Sequence, residues 1–180
     1  VIPPWEVKIP PRVEIPVEES LQPVAMLLSR LHGVIFETGY EDSGIGINDT
    51  IRAIESGEND IHLGRASDII SPVAAMMAIG SGGRIRGASH ARGKESDRIS
   101  KTVEVLSSFG LVMQEVEDGL NIPGGQTPRK PTEPIETHSD HRLAMTAMAL
   151  ASRYGGTVCE PEICSVSDPG FVSRILGLGD

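Results

Sequence analysis

One design recurs three times along this chain, and that recurrence limits the possible fold more than any other feature. Ser20 opens a helical stretch, Leu21 to Leu31, closed by Gly33 and followed by the β-prone run Val34-Ile35-Phe36-Glu37. Ser67-Asp68 opens another, Ile69 to Ile79, stopped by the glycines from Gly80 to Gly83 and followed by Arg84-Ile85-Arg86. Ser139-Asp140 opens the third, His141 to Arg153, stopped by Gly155-Gly156 and followed by Thr157-Val158-Cys159. Each copy has a capping residue, an apolar body, a glycine stop and a strand-like run. A second helix start follows at Asn48-Asp49, Ser96-Asp97 and Ser167-Asp168, at cap-to-cap spacings of 28, 29 and 28 residues. Near-equal spacing in three copies predicts a symmetric architecture.

The first helix of each copy is apolar nearly all round, the pattern of a helix buried on every side. The second is amphipathic: Ile99, Val103, Leu106 and Phe109 share a stripe that Lys101, Glu104 and Ser108 avoid. Leu111 to Val116 and Leu120-Asn121-Ile122 flank Glu117-Asp118-Gly119, which predicts a hairpin. Buried helices with strand pairs around them predict an α/β domain with its sheets outside. Val1 to Pro16 carries five of the 13 prolines and reads as an extended segment or interdomain crossover. Gly124 to Pro134 reads as a mobile, exposed loop.

Aromatic residues make up only 3% of the chain, so aliphatic side chains and methionine must fill its core. A formal net charge of −9 and a pI near 5.0 argue against binding a nucleic-acid backbone, yet leave room for a local cationic pocket. No run reaches the ~20 apolar residues that cross a bilayer, and no signal-peptide pattern opens the chain. Cys159 and Cys164 fit no zinc or redox spacing and read as two buried or half-buried thiols. The chain opens on Val1, which suggests a fragment or a processed product.

The chemistry concentrates at two of the helix starts. Lys94-Glu95-Ser96-Asp97-Arg98 and Asp140-His141-Arg142 each put an arginine and a proton-transfer residue into a first turn. Cations there oppose the helix dipole, and a bound anion would offset that cost. If the three units pack around one axis, Asp68, Lys94 to Arg98, His141 and Arg142 gather at one cleft. The bland alternative is caps and i,i+4 partners on a solvated face.

These residues carry a resemblance. Lys94-Glu95-Ser96-Asp97-Arg98-Ile99, preceded by Ile85-Arg86-Gly87-Ala88, resembles the signature of the 5-enolpyruvylshikimate-3-phosphate synthase (3-phosphoshikimate 1-carboxyvinyltransferase) family. Asp140-His141-Arg142-Leu143-Ala144-Met145 resembles that family's second signature, with Asp118-Gly119-Leu120-Asn121-Ile122 between the two. The resemblance is strong from Leu63 to the C-terminus and weaker from Val13 to Asp60.

It implies an enolpyruvyl transferase-like α/β domain of pseudo-threefold βαβαββ repeats. Residues 17–180 would form one domain, with repeats at about 17–62, 63–134 and 135–180, after a lead-in at 1–16. The implied reaction moves the enolpyruvyl group of phosphoenolpyruvate to the 5-hydroxyl of shikimate 3-phosphate and releases phosphate. By resemblance, Arg98 and Arg142 clamp phosphoenolpyruvate, Lys94 contacts the shikimate side and moves a proton, and Glu95 is an acid/base. Asp68 would act at the substrate hydroxyl, and His141 would bond to phosphate or the intermediate. No metal or organic cofactor is implied, nor any nucleic-acid or membrane partner, and the implied compartment is the cytoplasm. The missing partner is the N-terminal half of the enzyme, so this chain would supply about half a site and be inactive alone.

Some positions depart from the family pattern. Asp68 stands four residues before Pro72 instead of three, Val166 stands where many members carry lysine, and Asp168 replaces an aromatic. Val166 is the best argument for a catalytically silent repeat module used for binding. The UDP-N-acetylglucosamine enolpyruvyl transferase lacks the Lys94–Arg98 run, and RNA 3′-terminal phosphate cyclases conflict with the acidic balance.

Overall fold

Of the described helix starts, only those after Asp97 and Asp140 carry a side-chain cap; the expected caps Ser20 and Ser67 lie instead in short 3-10 turns, and the helices that follow start after Leu21 and Ile69. The computed structural model describes residues 19–33, 46–64 and 66–177. The lead-in at 1–16 and the run Val34 to Glu37 lie outside those residues. Six α-helices are described: α1 (Gln22–His32), α2 (Ile47–Glu55), α3 (Ile70–Ile79), α4 (Arg98–Ser108), α5 (His141–Tyr154) and α6 (Phe171–Ile175). The strands are β1 (Asp60–His62), β2 (Gly82–Arg86), β3 (Gln114–Val116) and β4 (Gly119–Pro123).

The fold is α/β, with helices inside and an open sheet of order β1-β2-β4-β3 outside. β1 and β2 run parallel across the α3 crossover, and β3 and β4 form the expected hairpin around Glu117 and Asp118. The stretch from β1 to β4 is therefore one complete βαβαββ unit. Ile61, Ile85, Leu120 and Ile122 turn inward from this sheet, while Arg84 faces out. Gly83 is where the backbones crowd: at φ 136°, a Cβ would lie 2.0 Å from the Asn59 carbonyl oxygen, which accepts the Arg84 N–H at 2.6 Å.

The helices that open the three repeats, α1, α3 and α5, pack against one another, as the spacing predicts. α3 is buried from Ile70 to Ala78 and α5 from His141 to Leu150. α1 differs. Only its stripe of Pro23, Val24, Leu27, Leu28 and Leu31 is buried, and Arg30 and His32 are exposed. Among the described residues, a groove of about 460 Å³ lies beside it, lined by Leu21, Val24, Leu28, Met145, Phe171 and Ile175 among others.

Other local expectations shift for physical reasons. α2 starts one residue before Asn48, behind Gly46 in a left-handed conformation (φ 82°), so Asp49 sits inside the first turn. α6 starts at Phe171, because the Asp168 carboxylate accepts the Gly170 N–H at 3.1 Å and makes a turn there. Leu111 to Met113 is not strand; the Gln126 side chain instead pairs with both backbone groups of Val112, at 2.7 and 2.8 Å. The Gly124–Pro134 stretch is irregular but tethered: Gly125, Gln126 and Arg129 donate backbone bonds to Gly80, Ala78 and Phe109. Thr157 to Cys159 makes a single parallel bridge, Val158 to Ile135, instead of a strand.

The thiols separate by burial. Cys164 is fully buried near Met148, and loss of solvation pushes its pKa to about 12. Cys159 is half-buried, its pKa raised by partial burial and by Glu136. A thiol-specific disulfide reagent at pH 8 is expected to label Cys159 slowly and spare Cys164 until the chain unfolds. Equal labelling of both in the native state would contradict this packing.

Candidate functional site

Three helix beginnings meet at one guanidinium. Asp68 lies in the tight turn Ser67–Ile69 that leads into α3, Arg98 is the first residue of α4, and Asp140 caps α5. Arg98 is 1% exposed and Asp140 is 0% exposed. Arg98 grips Asp140 with two hydrogen bonds, Nε to Oδ2 at 2.8 Å and Nη2 to Oδ1 at 3.2 Å. Its Nη1 donates to Asp68 and its Nη2 to Glu95. Lys94 Nζ stands 3.3 Å from the same Asp68 carboxylate.

Asp140 does more than pair. Its Oδ1 accepts the Arg142 backbone N–H at 2.9 Å, capping α5, and its Oδ2 accepts the Ser96 hydroxyl at 2.9 Å. One buried carboxylate therefore joins the Lys94–Arg98 run to the Asp140–Arg142 run. Asp97 caps α4 in the same manner, accepting from Ile99 and Ser100. The chain approaches Asp140 through His138 and Ser139, both left-handed at φ 55° and 53°. His138 is held by Glu104 at 3.0 Å, and the Asp140 N–H bonds back to the Thr137 carbonyl. A left-handed L-residue costs roughly 1–2 kcal/mol, which glycine avoids at the expense of a looser unfolded chain. Ser139→Gly is therefore expected to stabilise the chain by roughly 0.5–1 kcal/mol, read from its urea midpoint. An unchanged or lower midpoint would show that relief of strain does not outweigh the looser unfolded chain and the lost Ser139 hydroxyl bond to Glu160 at 3.2 Å.

The electrostatics follow from burial and pairing. Burial alone would lower the Arg98 pKa, but the hydrogen bonds and charge of Asp140, with Glu95 and Asp68, raise it above the ordinary arginine value. Burial would raise the Asp140 pKa, but Arg98, Ser96 and the Arg142 N–H hold it below the ordinary carboxylate value. His141, at 8% exposure, has a lowered pKa, first from burial and then from the Arg142 charge. Its imidazole is neutral at pH 7 and can accept a hydrogen bond or donate one.

Of the residues singled out in the sequence, Asp68, Lys94, Glu95 and Arg98 form one ion-paired network. His141 and Arg142 follow directly on its Asp140 member and are both buried. The offset to the unfavourable placement of Arg98 comes from the chain's own carboxylates. In the sequence Asp140 is a helix cap and the first residue of a signature run; that it also pairs with Arg98 across 42 residues has no periodic signal. Val166 is 70% exposed at the end of the turn Pro161–Val166, outside this network. Among the described residues no group of three or more His, Cys, Asp or Glu could hold a metal ion, and no helix is long and apolar enough to cross a membrane.

Comparison with known proteins gives a consistent family. The sequence pattern described as EPSP synthase (3-phosphoshikimate 1-carboxyvinyltransferase) matches residues 30–175. The chain is similar to the 3-phosphoshikimate 1-carboxyvinyltransferase of Methanothermobacter thermautotrophicus, 36% identical over 135 residues, covering 73% of this chain and 31% of that protein. It is 37% identical to that of Syntrophobacter fumaroxidans over 159 residues, 85% of this chain and 36% of the relative. The alignment with the Methanocorpusculum labreanum enzyme is 38% identical over 138 residues, 74% of this chain and 32% of the relative. The chain thus spans about a third of the length of these relatives.

Proposed function

The chain belongs to the EPSP synthase (3-phosphoshikimate 1-carboxyvinyltransferase) family, and from that premise we propose that it forms one wall of a two-walled transferase site. The reaction is transfer of the enolpyruvyl group of phosphoenolpyruvate to the 5-hydroxyl of shikimate 3-phosphate, in the cytoplasm. The other wall is a complementary N-terminal half. The observation that carries this reading is the junction of three helix starts at Arg98, with titratable groups on its outer side.

Both substrates are multiply anionic, so the site must supply guanidinium and ammonium donors. Arg98, Arg142 and Lys94 are those donors, with His141 as a neutral partner for phosphate or the intermediate. Asp140 occupies the inner side of Arg98 and fixes its plane. Asp68 and Glu95 occupy the outer side and are 36% and 46% exposed. An arriving anion competes with these two carboxylates for Arg98. Once displaced, Asp68 is free to take the proton of the attacking hydroxyl, and Glu95, with Lys94, to carry protons to and from the enol carbon. Addition then elimination needs both transfers, and the cations hold the charge that develops between them.

A second reading has its own support. Arg98 is already matched by three carboxylates, and the exposed Val166 adds no cation, as in a silent binding or assembly module. Calorimetric titration with phosphoenolpyruvate and shikimate 3-phosphate, with and without the complementary half, separates the two. Saturable binding that tightens when the half is added supports the transferase wall. Heat indistinguishable from buffer in both arms supports the silent module.

A further inference from the structure

Lys94 and Glu95 lie in an irregular link between a five-residue 3-10 turn (Ser89–Gly93) and α4, where no helix or strand fixes them. Beyond the pairs that Lys94, Glu95 and Ser96 make with Asp68, Arg98 and Asp140, the link is held by an arginine outside the two signature runs. Arg92 donates Nε to the Glu117 carbonyl at 3.0 Å and Nη2 to the Val116 carbonyl at 2.8 Å. Its Nη1 reaches the Glu115 carboxylate at 2.7 Å and the Asp97 carboxylate at 2.8 Å. One guanidinium thus ties the tip of the β3–β4 hairpin to the residue that caps α4. The hairpin also holds the residues that lead into the 3-10 turn: Asp118 accepts the Gly87 N–H through its side chain at 2.9 Å and the Ala88 N–H through its carbonyl at 2.8 Å.

We propose that Arg92 is a positioning residue for the anion site, a clamp that sets Lys94 and Glu95 relative to Arg98. Between Arg92 and its Asp97 partner there are only four residues, and two of them are the proton-transfer pair. Ser96, the next residue of the link, is committed to Asp140. The hairpin, more than 20 residues further along the chain, therefore helps to set where the link runs. Lysine can replace this arginine only in part, because a single ammonium cannot satisfy two carbonyls and two carboxylates in a planar fork. The proposal rests on the anion-site reading above for its function, but the clamp itself can be tested without it.

The experiment compares the 180-residue chain with its Arg92→Ala, Arg92→Lys and Glu115→Gln variants. Amide hydrogen exchange is followed along the chain, and phosphoenolpyruvate affinity is measured by calorimetry. A clamp predicts exchange about tenfold faster, confined to Lys94–Ser100, for Arg92→Ala, with α5 and the β2–β4 pairing unchanged. Arg92→Lys recovers part of that protection, and Glu115→Gln shows a smaller rise over the same residues. Affinity for phosphoenolpyruvate falls about tenfold in Arg92→Ala and partly returns in Arg92→Lys. Exchange that rises evenly over the whole chain, or stays at the wild-type level in Lys94–Ser100, overturns the proposal. If Arg92→Ala does not fold, Glu115→Gln decides the matter by the same criterion. Absence of phosphoenolpyruvate binding by the unmodified chain, both alone and with the complementary half, would count against the anion-site reading, while the exchange pattern would still decide the clamp.

Discussion

Asp140→Ala is expected to destabilise the chain by about 3–5 kcal/mol, because it removes the fully buried carboxylate from the inner side of a buried guanidinium. Arg98 and Asp140 are both essentially inaccessible, so water cannot replace the missing carboxylate on the Nε side. The same change removes the α5 cap and the Ser96 acceptor. For a domain of this size the loss corresponds to a fall in melting temperature of roughly 10 °C. Asp140→Asn keeps the shape and one acceptor and should lose less. An Asp140→Ala midpoint within experimental error of wild type would mean that the Arg98 pair contributes nothing net.

The pH dependence has a defined sign. The Asp140 pKa is depressed in the folded chain, so its contribution is complete above the unfolded carboxylate value of about 3.9 and is lost as pH falls through the lower folded value. The His141 pKa is also lowered by folding, so the neutral ring favours the folded state above about pH 6.5. That contribution declines as pH falls from about 6.5 toward the folded value. Urea midpoints should therefore begin to drop in the mildly acidic range, and His141→Gln should remove that first decline.

Turnover of phosphoenolpyruvate and shikimate 3-phosphate by this chain alone should be undetectable, and adding the complementary half should restore it. The chain spans about a third of its relatives' length, so a site shared between two walls would lack most of its donors here. Removing one charge-assisted hydrogen bond from a desolvated anion costs about 2–4 kcal/mol, or roughly 30- to 1000-fold in rate. An open wall also leaves bulk water at Arg98's outer partners, where closing over substrates would exclude it. Val166 supplies no further cation. Steady-state turnover near one per second by the isolated chain would show that the half-site argument is wrong.

The local punctuation of the chain was legible in its sequence. Asp97 and Asp140 cap α4 and α5 where their short acceptors precede apolar runs, and glycines follow α1, α3 and α5. The equal spacing of the repeats announced that α1, α3 and α5 would pack together. These features depend on a few neighbouring residues and on periodicity, so one sequence suffices to find them. The tertiary structure alone decided which charges meet. Arg98 finds Asp68 and Asp140 at separations of 30 and 42 residues, and Arg92 finds Glu115 at 23. Gln126 completes the backbone of Val112, and α1 buries only one stripe where α3 and α5 are buried nearly throughout. Such pairings carry no period, because a long side chain can reach in several directions. The packed backbone selects one of them, by bringing a single partner within hydrogen-bond range and removing the water that would otherwise compete.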